Sequence, residues 1–433
     1  MIARPMTHHS GIAQLDCARL CTVAVIVLAF FIASGNAHWF WWAGLWPSLT
    51  ISPLLLLLSF REDSMPPRIP LRSVPLLAAL SGMAVVAGAS AFAVDPSLLS
   101  IVQWVGTYLS PLLVYLGCQT TPFTRRLAAS TWWAITLGAL IPLLAGVLAY
   151  YKEWGVPNAL QLLTSRYDLV RMAGYMGATY GNTGNTAALL ALLAPPWLAM
   201  LLNRGASRAL HALCAFALII AFVHILIVES RTLFVVLIVV LPLVAYFYRM
   251  RFAAAVGALL LVAGAVLLPL MSEGDRLLQL TFGAVQGTAD DQSVAERSEA
   301  IRIGLKVMLD NPALGVGPGN SFKANMYTSA HQYWINQGEE IGVLGLVLSA
   351  AVSMAVFWRF VGLLRRRSRG GVDDIRFAGI AGATGYVLYG CIANMPLSAT
   401  VVNVWVGLFA IMLAISDAHF TDAPLRPAQH TAA

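Results

Sequence analysis

The chain has 433 residues, of which 59% are hydrophobic and 11% charged, with a net charge of +7 and a mean hydropathy of +0.75. That composition excludes a soluble globular enzyme and predicts an all-α integral membrane protein, because in lipid the backbone polar groups must be satisfied within helices. The basic excess is spread over the connections between apolar stretches, so no nucleic-acid partner is needed to explain it.

In chain order, the apolar stretches predict about twelve transmembrane helices forming one domain over residues 1–433. They fall at 19–35, 38–60, 74–94, 98–117, 127–150, 183–202, 209–229, 232–248, 252–271, 332–358, 376–394 and 400–416. Basic residues mark alternate connections: Arg61, Arg68 and Arg72, then Arg125 and Arg126, Arg204 and Arg208, Arg249 and Arg251, and the run Arg365 to Arg369. The positive-inside rule assigns these connections, and both termini, to the cytoplasm. Eighteen of the 27 Lys and Arg residues fall on that side, so the net charge is mostly topological. Small residues near Gly35 and Ala37 resemble a cleavage site, but the next span follows at once and the first reads as a retained signal anchor. The five cysteines sit in or beside spans, with neither the spacing of a disulfide framework nor that of a zinc site.

Two connections are long enough to build a site, 151–182 and 272–331, both expected on the periplasmic side. In the second, Val294, Ile301, Leu305, Met308 and Leu309 recur at helical spacing and predict an amphipathic helix lying on the membrane body, ended by Asn311-Pro312. Gly315, Gly317, Pro318 and Gly319 follow as a tight turn, either a plain turn or one whose backbone N–H groups bind an anion. If 331–349 is one helix, His331, Trp334, Ile335, Gly338, Gly342, Gly345 and Ser349 share a face. On that reading His331 is either a general base at the membrane surface or the polar end of a packing helix.

Nine cations fall on the outer side, where the targeting rule does not account for them. Arg231 stands between two strongly apolar spans; either it binds an anion, or it pairs with Glu229 or snorkels. Arg166, Arg171 and Arg297 lie on the two long connections, and four guanidiniums bracketing His331 suit a diphosphate, whose oxygens match the planar fork in pairs. Glu340 lies about 180° round the helix from His331 and cannot orient its ring; an arginine or backbone partner inside the bundle is expected. Asp290 and Asp291 lack an accompanying His or Glu cluster and read as loop solvation.

The stretch "ERSEAIRIGLKVMLDNPALGVGPGNSF" followed by "HQYWINQGEEIGVLG" closely resembles the core of the O-antigen ligase superfamily. The matching positions are Arg297, Pro312, Gly315, Gly317, Gly319, His331, Glu340, Gly342 and Gly345, with Gln332 where asparagine is commoner. "SRTLFVVL" resembles the family's Ser-Arg segment through Arg231, and "RMAGYMGATYGNTGN" its Arg-x-x-Gly segment through Arg171. The strong resemblance covers about residues 290–346.

The resemblance implies a fold like that of the membrane-embedded glycosyltransferases, and an enzyme that takes a glycan from undecaprenyl diphosphate. In the ligase the acceptor is lipid A-core oligosaccharide, at the periplasmic face of a Gram-negative inner membrane. His331 would be the base, with Arg231, Arg171, Arg166 and Arg297 on the diphosphate and Gln332, Glu340, Gly317, Gly319, Gly338, Gly342 and Gly345 in support. No cofactor, metal or ATP is expected, because the donor already carries its leaving group and needs only a base and cations. With no covalent nucleophile in view, inversion is expected. The same superfamily includes O-antigen polymerases and protein O-oligosaccharyltransferases, and a lipid-linked glycan transporter would fit the hydropathy equally well.

Overall fold

The computed structural model describes residues 10–35, 48–57, 73–121, 123–151, 175–176, 178–179, 183–228, 230–250, 292–321, 332–366, 372–392, 402–418 and 420. Their architecture is all-helical. The helices are α1 Ser10–Ser34, α2 Ser48–Leu57, α3 Val74–Ala93, α4 Leu98–Trp104, a π-helical turn Val105–Leu109, α5 Ser110–Thr120 and α6 Arg125–Tyr151. They continue with α7 Thr183–Leu202, α8 Arg208–Val228, α9 Arg231–Phe247, α10 Gln292–Asp310, α11 Tyr333–Arg366, α12 Val372–Ile392 and α13 Val402–Asp417. Seven helices among the described residues are long and apolar enough to cross a membrane, as the composition requires. The expected span 252–271 lies outside the described residues, and every other expected position carries a helix.

α7 forms the axis of the bundle. Its residues from Asn185 to Trp197 are buried on all sides, the pattern of a helix with no lipid-facing surface. α12 reaches it through a row of small residues. A methyl group on Gly382 would stand 2.6 Å from Leu192 O, and one on Gly379 would stand 2.5 Å from Met412 O of α13. Backbones pack this closely in a membrane only where side chains are absent. At one end of the bundle a buried ion pair ties α11 to α13, with Arg359 Nη2 3.0 Å from Asp417 Oδ2. Tyr115 donates to the same oxygen at 2.7 Å, and Arg376 Nη2 donates to Ala418 O at 2.7 Å. Burying charges is tolerated when good geometry and further hydrogen bonds offset desolvation, and the Tyr115 hydroxyl supplies one such bond to Asp417.

The expectation of one continuous helix over 331–349 is overturned. Helical geometry fails at Ile341 (φ −130°, ψ 19°) and Gly342 (φ 76°, ψ −175°), and the chain reverses. Trp334 Nε1 donates to Ser353 Oγ at 3.4 Å, whereas in a straight helix residues 19 apart would be separated by about 28 Å. Residues 333–340 therefore form a short arm running back along a long arm, 343–366, and Trp334 and Ser349 do not continue one stripe. Gly345 lies where the arms touch; a methyl there would be 3.1 Å from Gln337 O.

The reversal leaves the carbonyls of Glu339 and Glu340 without helical partners, and the glycine turn after α10 meets them. Val316 N donates to Glu339 O (2.8 Å), Gly317 N donates to Glu340 O (3.0 Å), and Val343 N donates back to Pro312 O (2.9 Å). Ser90 of α3 adds a hydroxyl that donates to Leu314 O at 2.5 Å and lies 3.1 Å from Glu340 O. This backbone clasp closes only over glycine. Gly315 (φ 65°) would set a methyl 2.5 Å from the Glu340 carbonyl carbon, and Gly342 would set one 2.7 Å from Pro312 O.

Gly342→Ala should therefore cost at least about 3 kcal/mol, since its φ/ψ region is essentially closed to residues with a Cβ. Gly362 of the long arm has nothing within 4 Å of an added methyl, and Gly362→Ala should gain about 0.5–1 kcal/mol from helix propensity. Thermal denaturation of the two purified variants checks both signs.

Candidate active site

The short arm carries an unusual load for a membrane interior: Asn336, Gln337, Glu339 and Glu340 are all buried. Polar groups at such depth persist when partners hold them, and they mark functional positions. Glu340 is held from three elements. Its carboxylate accepts from the backbone N–H of Gly319 and from Ser321 Oγ at 3.3 Å. The Tyr108 hydroxyl, presented by the π-helical turn, is 3.0 Å from Gln337 Oε1 and 3.4 Å from Glu340 Oε2, so its one proton can go to either. The expected backbone partner for Glu340 is found, and hydroxyls stand where an arginine was the other expectation.

The same geometry corrects the reading of the glycine turn as an anion cradle. The N–H groups of Gly315, Val316 and Gly317 are taken by Asn311 O, Glu339 O and Glu340 O, and that of Gly319 by the Glu340 side chain. They are occupied because the broken helix needs donors, and none remains for a phosphate. Beyond the turn, Asn320 Nδ2 donates to Asp95 Oδ2 at 2.6 Å. Ser97, which caps α4, donates to the same oxygen at 3.0 Å. The turn is thus tied to the start of α4 as well as to α11.

α10 meets the short arm through Met308, which fills the space left by Gly338. Ala300, Gly304 and Met308, four residues apart, form its buried face. Leu305 (41% exposed) and Leu309 (68%), which the apolar periodicity groups with Met308, lie outside that buried face. Gly338 decides the matter, because only a long, flexible side chain can enter its gap. The helix ends at Asp310, as Asn311-Pro312 predicts.

Among the sequence-predicted site residues, Glu340, Gly317, Gly319, Gly338, Gly342 and Gly345 lie in the clasp and the arms it joins, and Gln332 lies at the other end of the short arm. Gln332 O accepts from Asn336 N at 3.0 Å, so Gln332 precedes the first turn of the short arm, and His331 is the residue before it. His331, Arg166 and Arg171 lie outside the described residues. Arg231 and Arg297 are placed by backbone alone: Arg231 opens α9 behind the Ser230 cap, and Arg297 lies in the first half of α10.

Sequence reasoning missed Tyr108 and Gln337, whose roles depend on partners more than two hundred residues apart. It also missed a buried pair beside the other long connection. Tyr175 OH lies 2.6 Å from His224 Nδ1, and His224 Nε2 lies 2.8 Å from Leu143 O. A carbonyl only accepts, so Nε2 carries the proton, and the tyrosine donates to Nδ1. The pair pins the chain four residues after Arg171 to α8, the helix that leads to Arg231.

Residues 215–350 match the family model described as O-antigen ligase, and no curated protein matches the chain. The matched region runs from α8 through α9, α10 and the clasp into the long arm, and so contains the Ser230–Arg231 cap, the glycine turn and the short arm. Residues 215–350 thus carry an O-antigen ligase family domain, which supports assignment to the O-antigen ligase/polymerase superfamily.

Proposed function

We propose that the protein is an O-antigen ligase that transfers a glycan from undecaprenyl diphosphate to lipid A-core oligosaccharide at the periplasmic face of the inner membrane. The observation that carries this reading is the overlap of the family match, residues 215–350, with the clasp that holds the far end of a short arm beginning two residues after His331. Members of this family are glycosyltransferase-like enzymes, and a membrane-embedded transferase of a lipid-linked glycan needs a rigidly seated base beside cations.

In this mechanism His331 removes the proton from the acceptor hydroxyl. The acceptor oxygen attacks the anomeric carbon, the bond from that carbon to the phosphate oxygen breaks, and undecaprenyl diphosphate leaves. Attack opposite the leaving group inverts the anomeric centre. His331 stands just ahead of the N-terminus of the short arm, whose positive dipole end disfavours imidazolium and keeps the ring able to accept a proton. Arg231, Arg171, Arg166 and Arg297 neutralise the charge developing on the leaving diphosphate. Glu340, engaged by Gly319, Ser321 and Tyr108, acts as a structural clamp.

A strain whose only copy carries His331→Ala should make normally inserted protein but lose capped lipopolysaccharide, with transfer down by about 10²–10⁴-fold. Polymerised, carrier-linked glycan should accumulate. Near-normal capping would remove His331 from the mechanism, and accumulation of single unpolymerised repeats would indicate a polymerase.

Arg231→Lys keeps the charge but loses the bidentate fork. Transfer by the purified variant should fall at least about tenfold, the effect of losing one hydrogen bond to a charged group worth roughly 1.5–3 kcal/mol. Full activity would reduce Arg231 to an electrostatic role.

Transfer by purified protein from lipid-linked glycan to lipid A-core should persist in EDTA and without ATP. Loss on chelation with recovery on added magnesium would contradict the arginine clamp, provided a control shows that the acceptor's aggregation is unchanged.

A further inference from the structure

Behind the short arm lies a cavity with about 60 Å³ of space for water centres. Its lining is mainly apolar, with residues of α3, α12 and α13, and one wall carries the polar side chains Thr107, Tyr108, Tyr333, Gln337, Ser353 and Tyr386. Two polar groups on this wall are buried without a hydrogen-bond partner among the described residues: Gln337 Nε2 and Thr107 Oγ1. Gln337 is 0% exposed and Thr107 6%. The Gln337 amide is oriented by its oxygen, which faces Tyr108 OH, and its NH₂ end is left over. Turning the amide over exchanges donor for acceptor at the same place, so an unmet polar atom remains in either orientation.

Each such group costs about 1–3 kcal/mol if nothing meets it. A polar cavity holds a water molecule once it offers roughly 10–15 Å³ to the water centre and two to four partners. The space condition is met here, and Gln337 Nε2 and Thr107 Oγ1 are the two partners offered. We propose that this cavity is a resident water site, in which at least one ordered water accepts from Gln337 Nε2 and bridges to Thr107 Oγ1, with the Tyr386 hydroxyl as a further partner. The bound water completes the hydrogen bonding of the arm's inner face, and so allows a row of polar side chains to remain inside a membrane bundle. The inference is independent of the glycosyl-transfer reading, since it follows from the packing of the arm alone.

The sign of one thermal shift tests it. Thr107→Val is close to isosteric but removes the hydroxyl. If water bridges the site, the variant strands the water's bond and the melting temperature of the full-length protein in nanodiscs falls by about 2 °C. If the cavity is dry, the variant deletes an unmet polar group, and an unchanged or raised melting temperature overturns the proposal. A high-resolution map of the unmodified protein gives a second readout, free of any folding defect. Solvent density about 2.7–3.2 Å from the Gln337 amide nitrogen supports the site. Xenon entering the cavity under pressure, or a map clear of solvent there, overturns it, because xenon occupies dry apolar cavities.

Discussion

A helix broken inside a membrane protein must find new partners for its backbone, because lipid offers none and each unmet group costs several kcal/mol. The reversal at Ile341 and Gly342 is such a break, and the clasp is its answer. The carbonyls released by the short arm are those that the glycine turn meets, and Val343 at the start of the long arm returns a bond to Pro312. Turn and reversal are therefore one unit, and neither conformation is self-sufficient. The glycines of both segments have distinct tasks within it. Gly315 and Gly342 allow the two backbones to cross, Gly345 lets the arms touch, and Gly338 admits Met308.

The side chains repeat the logic of the backbone. Glu340 draws in Gly319, Ser321 and Tyr108, so one carboxylate joins the turn, the short arm and the π-helical turn. The opposite end of the bundle is fixed by the Arg359–Asp417–Tyr115 cluster. A clasp held by several elements at once has few ways to relax. The Tyr175–His224 pair does the same for the first long connection, anchoring it to the helix that ends beside Arg231.

Much of this was legible in the residues. Hydropathy located the helices closely, as at 183–202, because a membrane span is defined by its own composition. Asn311-Pro312 ended α10 where expected, because proline acts locally. The reversal was hidden for the opposite reason. Glycines at 338, 342 and 345 spaced along an apolar segment read as a packing stripe, and no proline marks a break. The partner that makes the break affordable lies some 25 residues upstream in the chain. Leu305 and Leu309 fall outside the face that meets the short arm, because periodicity gives an apolar face without saying which neighbour selects part of it. The buried run Asn336, Gln337, Glu339 and Glu340 did carry a signal, since four polar residues between apolar stretches are costly in a membrane. Tyr108 and His224 carried none, each being one polar residue in an apolar helix, and Tyr175 was one tyrosine of a long connection whose partner lies 49 residues on.

The reversal itself is the claim on which the rest stands, and a short thiol crosslinker tests it directly. Cysteines introduced as Trp334→Cys and Ser353→Cys, in an otherwise cysteine-free chain, should be bridged within one molecule by a reagent spanning about 10 Å, giving a crosslinked peptide pair on digestion. A continuous helix would hold the two positions about 28 Å apart, and the absence of the bridge under conditions where both cysteines react with a monofunctional reagent would contradict the account.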